Sequence, residues 1–283
     1  MNAQILWSLF LSSIALGTPL LLAALGEIVG EKSGVLNVGL EGMMLMGAFA
    51  GAAASLVSGN AWLGIVAALG AGMFLSAIFA WLTIGLGADA IVAGTGLNLF
   101  ALGITGTAFR TLSTRFPDAR VVTIAEPVFW VLALLLASFV AWLLARSRPG
   151  LQIRACGENP RAAQSAGIAV ARVRWGCTLW NGALCGLAGA FLSMSHTDSF
   201  SENMTAGRGF IALALVIFAR WNAFGAVGAA LLFGLAEASQ FWLQTRIAQS
   251  FYPLLLALPY FLTILVLSGF AGKVRAPKAL GEN

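Results

Sequence analysis

The sequence predicts an all-α, polytopic membrane protein with about eight to ten transmembrane helices, some broken or re-entrant, arranged as two pseudo-repeated halves. Three observations carry this prediction. Of the 283 residues 59% are hydrophobic and only 10% are charged, against about a quarter charged in an ordinary soluble domain. Uncharged stretches such as Gly42–Ala88, Val128–Ala145 and Ile247–Gly272 reach or approach the ~20 residues that cross roughly 30 Å of hydrocarbon. The remaining charges gather at junctions between apolar runs, above all in Arg146–Arg174, which holds six of the sixteen Lys and Arg residues and one acid, Glu158.

In chain order, the expected spans lie at about 5–25, 38–57, 62–86, 91–109, 127–145, 176–195, 209–220, 223–241 and 251–270, about nine in all, within one transmembrane domain covering 1–283. The first is read as a membrane helix and not a cleaved leader, because no charged region precedes it and Leu6–Leu25 is long for a leader core. Placing the basic Arg146–Arg174 loop in the cytoplasm orients the rest by the positive-inside rule, and counting onward puts Lys273, Arg275 and Lys278 inside as well. Counting backward puts the N-terminus outside unless an early segment is re-entrant. It also puts Arg110–Glu126 outside, where Arg110, Arg115 and Arg120 are offset only in part by Asp118 and Glu126.

Two segments break the pattern. Arg208–Arg220 is thirteen residues, which as a helix rises only about 20 Å and enters part-way. Gly30–Gly42 is an apolar run interrupted by glycine in the first half. Irregular backbone at membrane depth is tolerated only where protein buries it or water fills a cavity beside it, so paired breaks in two halves point to a permeation pathway.

Polar residues near these breaks are candidates to line it. A helix beginning near Leu36 would set Asn37 and Glu41 four residues apart on one face, turned away from lipid. Such a pair suits a ligand bearing hydroxyls or amines. The alternative makes Asn37 a helix cap and Glu31 and Lys32 ordinary interfacial charges. Thr95 and Asn98 interrupt another apolar run beside Gly94, Gly96 and Gly103, and either face the same cavity or hydrogen-bond between helices. Glu237, followed by Gln240 and Gln244, is read as lying near the outer interface.

Other function classes find little support. Cys156, Cys177 and Cys185 form no CxxC pair and His196 stands alone, so neither a disulfide framework nor a metal site is expected, and no cofactor. His196 and Asp198 make an HTD triplet without a nucleophile, which reads as a loop and not half of a catalytic pair. Gly30–Gly34, GEKSG, has Glu31 where a phosphate loop needs glycine before its lysine, so the chain is not expected to hydrolyse ATP itself. The net charge of +5 follows topology and makes no basic face for nucleic acid.

Four segments in order, EKSGVLNVGLEGMMLMGAFAG (31–51), IVAGTGLNLFALGITG (91–106), LQIRACGENPRAAQSAGI (151–168) and AGRGFIALALVIFARWNAFGAVGAALLFGLAEA (206–238), resemble the permease subunits of bacterial ABC importers. The group includes the ribose and branched-chain amino acid permeases, and the resemblance is strongest to its nucleoside-importing branch. It implies a non-enzymatic permease in the bacterial inner membrane, moving a nucleoside or related polar solute inward by alternating access. A simple-sugar or branched-chain amino acid importer is the alternative; a secondary transporter or channel and a membrane-embedded enzyme are more distant ones. The implied partners are cytoplasmic ABC ATPase domains, a second related permease, an extracytoplasmic solute-binding protein and the surrounding bilayer. The resemblance also implies that Gly157, Glu158, Asn159, Pro160 and Arg161 couple to the ATPase, and that Asn37, Glu41 and Asn98 lie near the translocation axis. Proline at the start of a helix, asparagine to cap it and an arginine fork for an acidic partner fit the coupling role physically. In the family's RWN turn, Arg220–Asn222 is retained but Ala223 stands where proline is common.

Overall fold

The computed structural model describes residues 3–116, 121–244, 264 and 276–281. Within residues 3–244, as far as described, ten α-helices follow one another: α1 (Ala3–Lys32), α2 (Leu40–Ser58), α3 (Ala61–Ala80), α4 (Ala90–Arg115), α5 (Glu126–Arg146), α6 (Arg148–Glu158), α7 (Pro160–Ser165), α8 (Val170–Phe191), α9 (Arg208–Phe218) and α10 (Ala223–Gln244). Single π-helical turns, Trp81–Gly85 and Leu192–His196, prolong α3 and α8. Among the described residues seven helices are long and apolar enough to cross a membrane, and α9, at 11 residues, is not. The expected span at 251–270 lies outside the described residues.

Local sequence explains most boundaries. Asn60 accepts a hydrogen bond from Trp62 N at 2.9 Å and starts α3, and the Asp89 carboxylate accepts from Ile91 N and Val92 N, both at 2.9 Å, to start α4. Two of the boundaries that differ from expectation do so for one reason. Helix α1 runs seven residues past Leu25, through Glu27 and Glu31, and α8 starts at Val170 and takes in Arg172 and Arg174. A charge ends a span only where lipid surrounds it; here protein groups receive Glu27, Glu31 and Arg174, so the helices continue.

Helix α8 forms the centre, enclosed by α1, α2 and α3, while α4 and α5 present most of their surface outward. Glycine sets the spacing. A Cβ on Gly72 of α3 would overlap the Gly182 carbonyl oxygen of α8, one on Gly186 would overlap Ala68 O, and one on Gly189 would overlap Met44 O of α2. Lipid chains are as apolar as leucine, so helix contact here draws on close backbone approach and dispersion rather than on exclusion of water.

The helices alternate in direction between two ends. One end gathers Lys32, α6, α7, the start of α8 and residues 276–281: Ala279 N donates to Gly157 O at 2.9 Å and Gly281 N to Gly34 O at 3.0 Å. The other holds the start of α1, the 121–125 strap and His196–Glu202; Val122 N donates to Ser55 Oγ at 2.8 Å and Ile124 N to Met194 O at 2.9 Å. At this second end Arg110 forms a two-pronged pair with Glu202, at 2.7 and 3.1 Å, which offsets the arginine's charge. The guanidinium holds the Glu202 carboxyl below the usual carboxylate range.

Candidate functional site

The two interrupted segments pack directly on one another. Gly207, with φ 87°, turns the chain into α9 so that Gly207 N and Gly209 N donate to the two carboxylate oxygens of Glu41, at 2.8 and 2.7 Å. An anion at a helix N-terminus meets unpaired N–H groups and the positive end of the helix dipole. At the far end of α9, Arg220 and Trp221 both adopt φ 54°, and the Trp221 indole N–H donates to the Glu31 carboxylate. Helix α9 is thereby held at both ends by acids that flank the first break. Asn222 Oδ1 accepts from Phe224 N at 2.9 Å and Gly225 N at 3.1 Å, so the turn into α10 is closed by Asn222 although Ala223 replaces the usual proline.

Behind this contact lies a buried polar cluster. Glu27, with no exposed surface, accepts from Asn37 N at 2.9 Å and from the Asn181 side-chain amide of α8. Asn37 Oδ1 accepts from Gly39 N at 2.9 Å. This corrects the reading that a helix starts near Leu36: the Asn37 side chain closes a turn with Gly39, Glu27 takes its N–H, and α2 starts only at Leu40. Asn37 and Glu41 therefore share no helix face. Asn37 does not cap α2 either, since the helix begins after Gly39 with no side-chain cap. Glu31, 2% exposed, is no interfacial charge, and Lys32 is partly buried.

Asn98 is also spent on backbone. Its Oδ1 accepts from Gly42 N at 2.8 Å and its Nδ2 donates to Val38 O at 3.0 Å, so one side chain of α4 spans the break between Val38 and Gly42. Gly94, whose Cβ would come 2.7 Å from Gly39 N, permits that approach. Thr95 is exposed, its hydroxyl bonded to Ile91 O within α4. Thr95, Leu99, Gly103 and Thr107, all exposed, follow at four-residue spacing and form one outward face at membrane depth.

The basic segment is not an open loop. Ser147 accepts from Gly150 N at 3.0 Å to begin α6; Asn159 accepts from Ala162 N at 3.0 Å, and Pro160 opens α7. Glu158, Asn159 and Arg161 are exposed, whereas Gly157 is buried where a Cβ would overlap Lys32 O. Burial pushes the nearby Cys156 thiol up, with Arg174 opposing. Arg174 Nε of α8 donates to Ser33 O at 3.2 Å and Gly157 packs against Lys32 O, so the end of α6 and the start of α8 both adjoin the first break.

Two further side chains sit differently from expectation. Glu237 is mostly buried and pairs with Arg208 at 2.5 Å, and Gln240 is buried too, so both face protein and not solvent. His196 Nδ1 meets Glu126 at 3.1 Å and not Asp198, which belongs to a turn with φ 55°. Sequence reading did not single out Asn181, Trp221 or Arg208, nor the inward role of Glu27. A lone amide in the glycine-rich run WNGALCG was the available signal, since an amide in mid-span needs a protein partner.

A multi-pass α-helical protein with half-length and interrupted helices locked together at its centre, and a capped two-helix projection at one end, has the architecture of a membrane permease. The chain belongs to the family described as branched-chain amino acid transport system, permease component, whose profile matches residues 9–267. It is thus the membrane-spanning, non-catalytic subunit of an ABC transporter, a type of protein that works with an ATPase and a binding protein. The guanosine ABC transporter permease protein NupQ of Bacillus subtilis is 35% identical over 98% of this chain and 96% of its own length. The nucleoside ABC transporter permease protein NupC of Lactococcus lactis is 36% identical over 94% and 93%. A Haloferax volcanii protein assigned provisionally as the glucose ABC transporter permease TsgC13 is 38% identical over 81% and 75%. No solved structure matches the chain.

Proposed function

We propose that this chain imports a nucleoside, as one of two related permeases in an ABC importer. The observation that carries the substrate class is the end-to-end similarity to NupQ and NupC, which extends through both interrupted segments. A related partner permease is supported by the pair of guanosine permease proteins, NupQ and NupP, among the B. subtilis relatives. In this reading the α4 face containing Thr95 lines the pathway, while Asn37, Glu41 and Asn98 hold the backbone that shapes it. The end bearing 146–174 and 276–281 is cytoplasmic, as its arginines favour. Closure of the ATP-bound partner domains pushes α7, and the two halves rock about a central cavity. TsgC13 favours a sugar as the second reading, because a nucleoside presents a ribose to the same path.

The test is uptake of labelled guanosine into proteoliposomes holding the chain, its partner permease, ATPase and binding protein. ATP-dependent uptake competed by other nucleosides, and not by glucose, ribose or leucine, is expected. Entry of glucose in place of guanosine would move the substrate class to sugars, and uptake indifferent to ATP would defeat the importer reading.

The exposed pair Glu158 and Arg161, one on each side of the capped Asn159–Pro160 junction, is proposed to grip the ATPase. Glu158→Ala/Arg161→Ala is expected to lower guanosine uptake by about tenfold or more, through weaker ATPase association or uncoupled hydrolysis, with membrane insertion unchanged. Uptake equal to the parent protein would remove both residues from the coupling role.

A further inference from the structure

At the end of the molecule that carries α6, a cleft of about 570 Å³ opens between α5, α6 and the start of α10. Its rim is cationic: among the described residues Lys32, Arg146 and Arg154 line it, no carboxylate does, and none of the three forms an ion pair. Glu158 attracts Lys32 from outside the lining. Its wall is of another character. Ser138, Ala141, Trp142 and Arg146 fall on one face of α5, so the cleft descends from its arginine by eight residues, about 12 Å, along a membrane-spanning helix. Trp142, 54% exposed, and Phe224, 62% exposed, face outward beside it.

A cationic rim above an apolar, aromatic-flanked wall that runs into the bilayer is complementary to one class of molecule. From this geometry we propose that the cleft is a binding site for an anionic phospholipid, its phosphate among Lys32, Arg146 and Arg154 and an acyl chain against Ala141 and Trp142. Basic residues at the headgroup level attract anionic lipid, and tryptophan settles at the same level. The apolar depth favours a lipid over a soluble phosphate or an acidic surface of the ATPase, neither of which would reach down α5. The cleft shares Trp221 and Asn222 with the turn that closes α9, so an occupying lipid braces the interrupted segment from outside. The proposal is independent of the transported substrate.

Native mass spectrometry of the purified chain, titrated with phosphatidylglycerol and with phosphatidylcholine of the same chains, tests it. The parent protein is expected to retain phosphatidylglycerol about tenfold more tightly than phosphatidylcholine, and Lys32→Gln/Arg146→Gln/Arg154→Gln to bind it roughly a hundredfold more weakly. Ala145→Trp, which fills the cleft from an exposed position and keeps every charge, is expected to lose the lipid as well. Arg148→Gln/Arg172→Gln/Lys278→Gln removes equal charge outside the cleft and is expected to bind as the parent does. The proposal is overturned if this outside triple weakens binding as much as the cleft triple, if Ala145→Trp binds normally, or if glycerol phosphate competes as well as the lipid. Loss of ATPase association with lipid binding intact in the cleft triple would overturn it in favour of a subunit contact.

Discussion

Glu41→Ala is expected to abolish guanosine uptake and to lower the thermal stability of the chain, at a cost of about 3–5 kcal/mol. The carboxylate accepts two charge-assisted hydrogen bonds, from Gly207 N and Gly209 N, and places a negative charge at the N-terminus of α9. Alanine removes both acceptors and leaves two backbone N–H groups unpaired at membrane depth, where water does not replace them. Glu41→Gln keeps one oxygen acceptor and turns an amide donor toward the second N–H, so an intermediate loss is expected; Glu41→Asp is one methylene short of the same contact. Unfolding in detergent gives the stability change, and hydrogen exchange shows whether α9 amides lose protection first. Parent-like stability and uptake in Glu41→Ala would remove Glu41 as the anchor of α9.

Gly72→Val is expected to prevent the chain from folding into a monodisperse protein, while Gly70→Val, two residues away on the same helix, is tolerated. The Gly72 position faces α8, where a Cβ would overlap Gly182 O and come within 2.8 Å of Gly186 N. Backbone cannot step aside as a flexible side chain can, so the cost exceeds about 4 kcal/mol or α3 separates from α8. Gly70 is exposed with open space where its Cβ would go, and only the ordinary helix preferences of glycine and valine apply. Size-exclusion chromatography of fluorescently tagged variants distinguishes the two. Equal behaviour would mean that the α3–α8 contact is not set by this glycine.

That pair shows where sequence reading ends. Both glycines lie in the run LGAGM, and composition says only that small residues permit close helices. Which glycine meets another backbone depends on how α3 is rotated toward α8, a relation between positions more than a hundred residues apart. The same limit governs the candidate site. Glu41 and Asn98 stand out as polar residues in apolar runs, but their partners are backbone N–H and C=O groups, which carry no sequence signature. Asn37 was legible as polar and inward, yet its spacing from Glu41 misled, because a helical period holds only where the helix has begun. The capped start of α7 was readable at Asn159–Pro160 because capping is a contact between near neighbours in the chain.

What the sequence determined by itself is therefore the membrane class, the approximate spans within the described residues, the two interrupted segments, the helical start at Asn159–Pro160 and the family. All of these follow from hydrophobic runs, local capping and motifs within a few residues. Only the tertiary structure decided that α1 continues through Glu27 and Glu31, that α9 is held between Glu31 and Glu41, and that the basic end contains an amphipathic cleft. The cleft follows from how α5, α6 and α10 are placed; the first two turn on whether a charge or an N–H shielded from water meets a partner. That partner lies far away in the chain, and the cost of leaving a polar group unpaired in hydrocarbon selects the packing that supplies it.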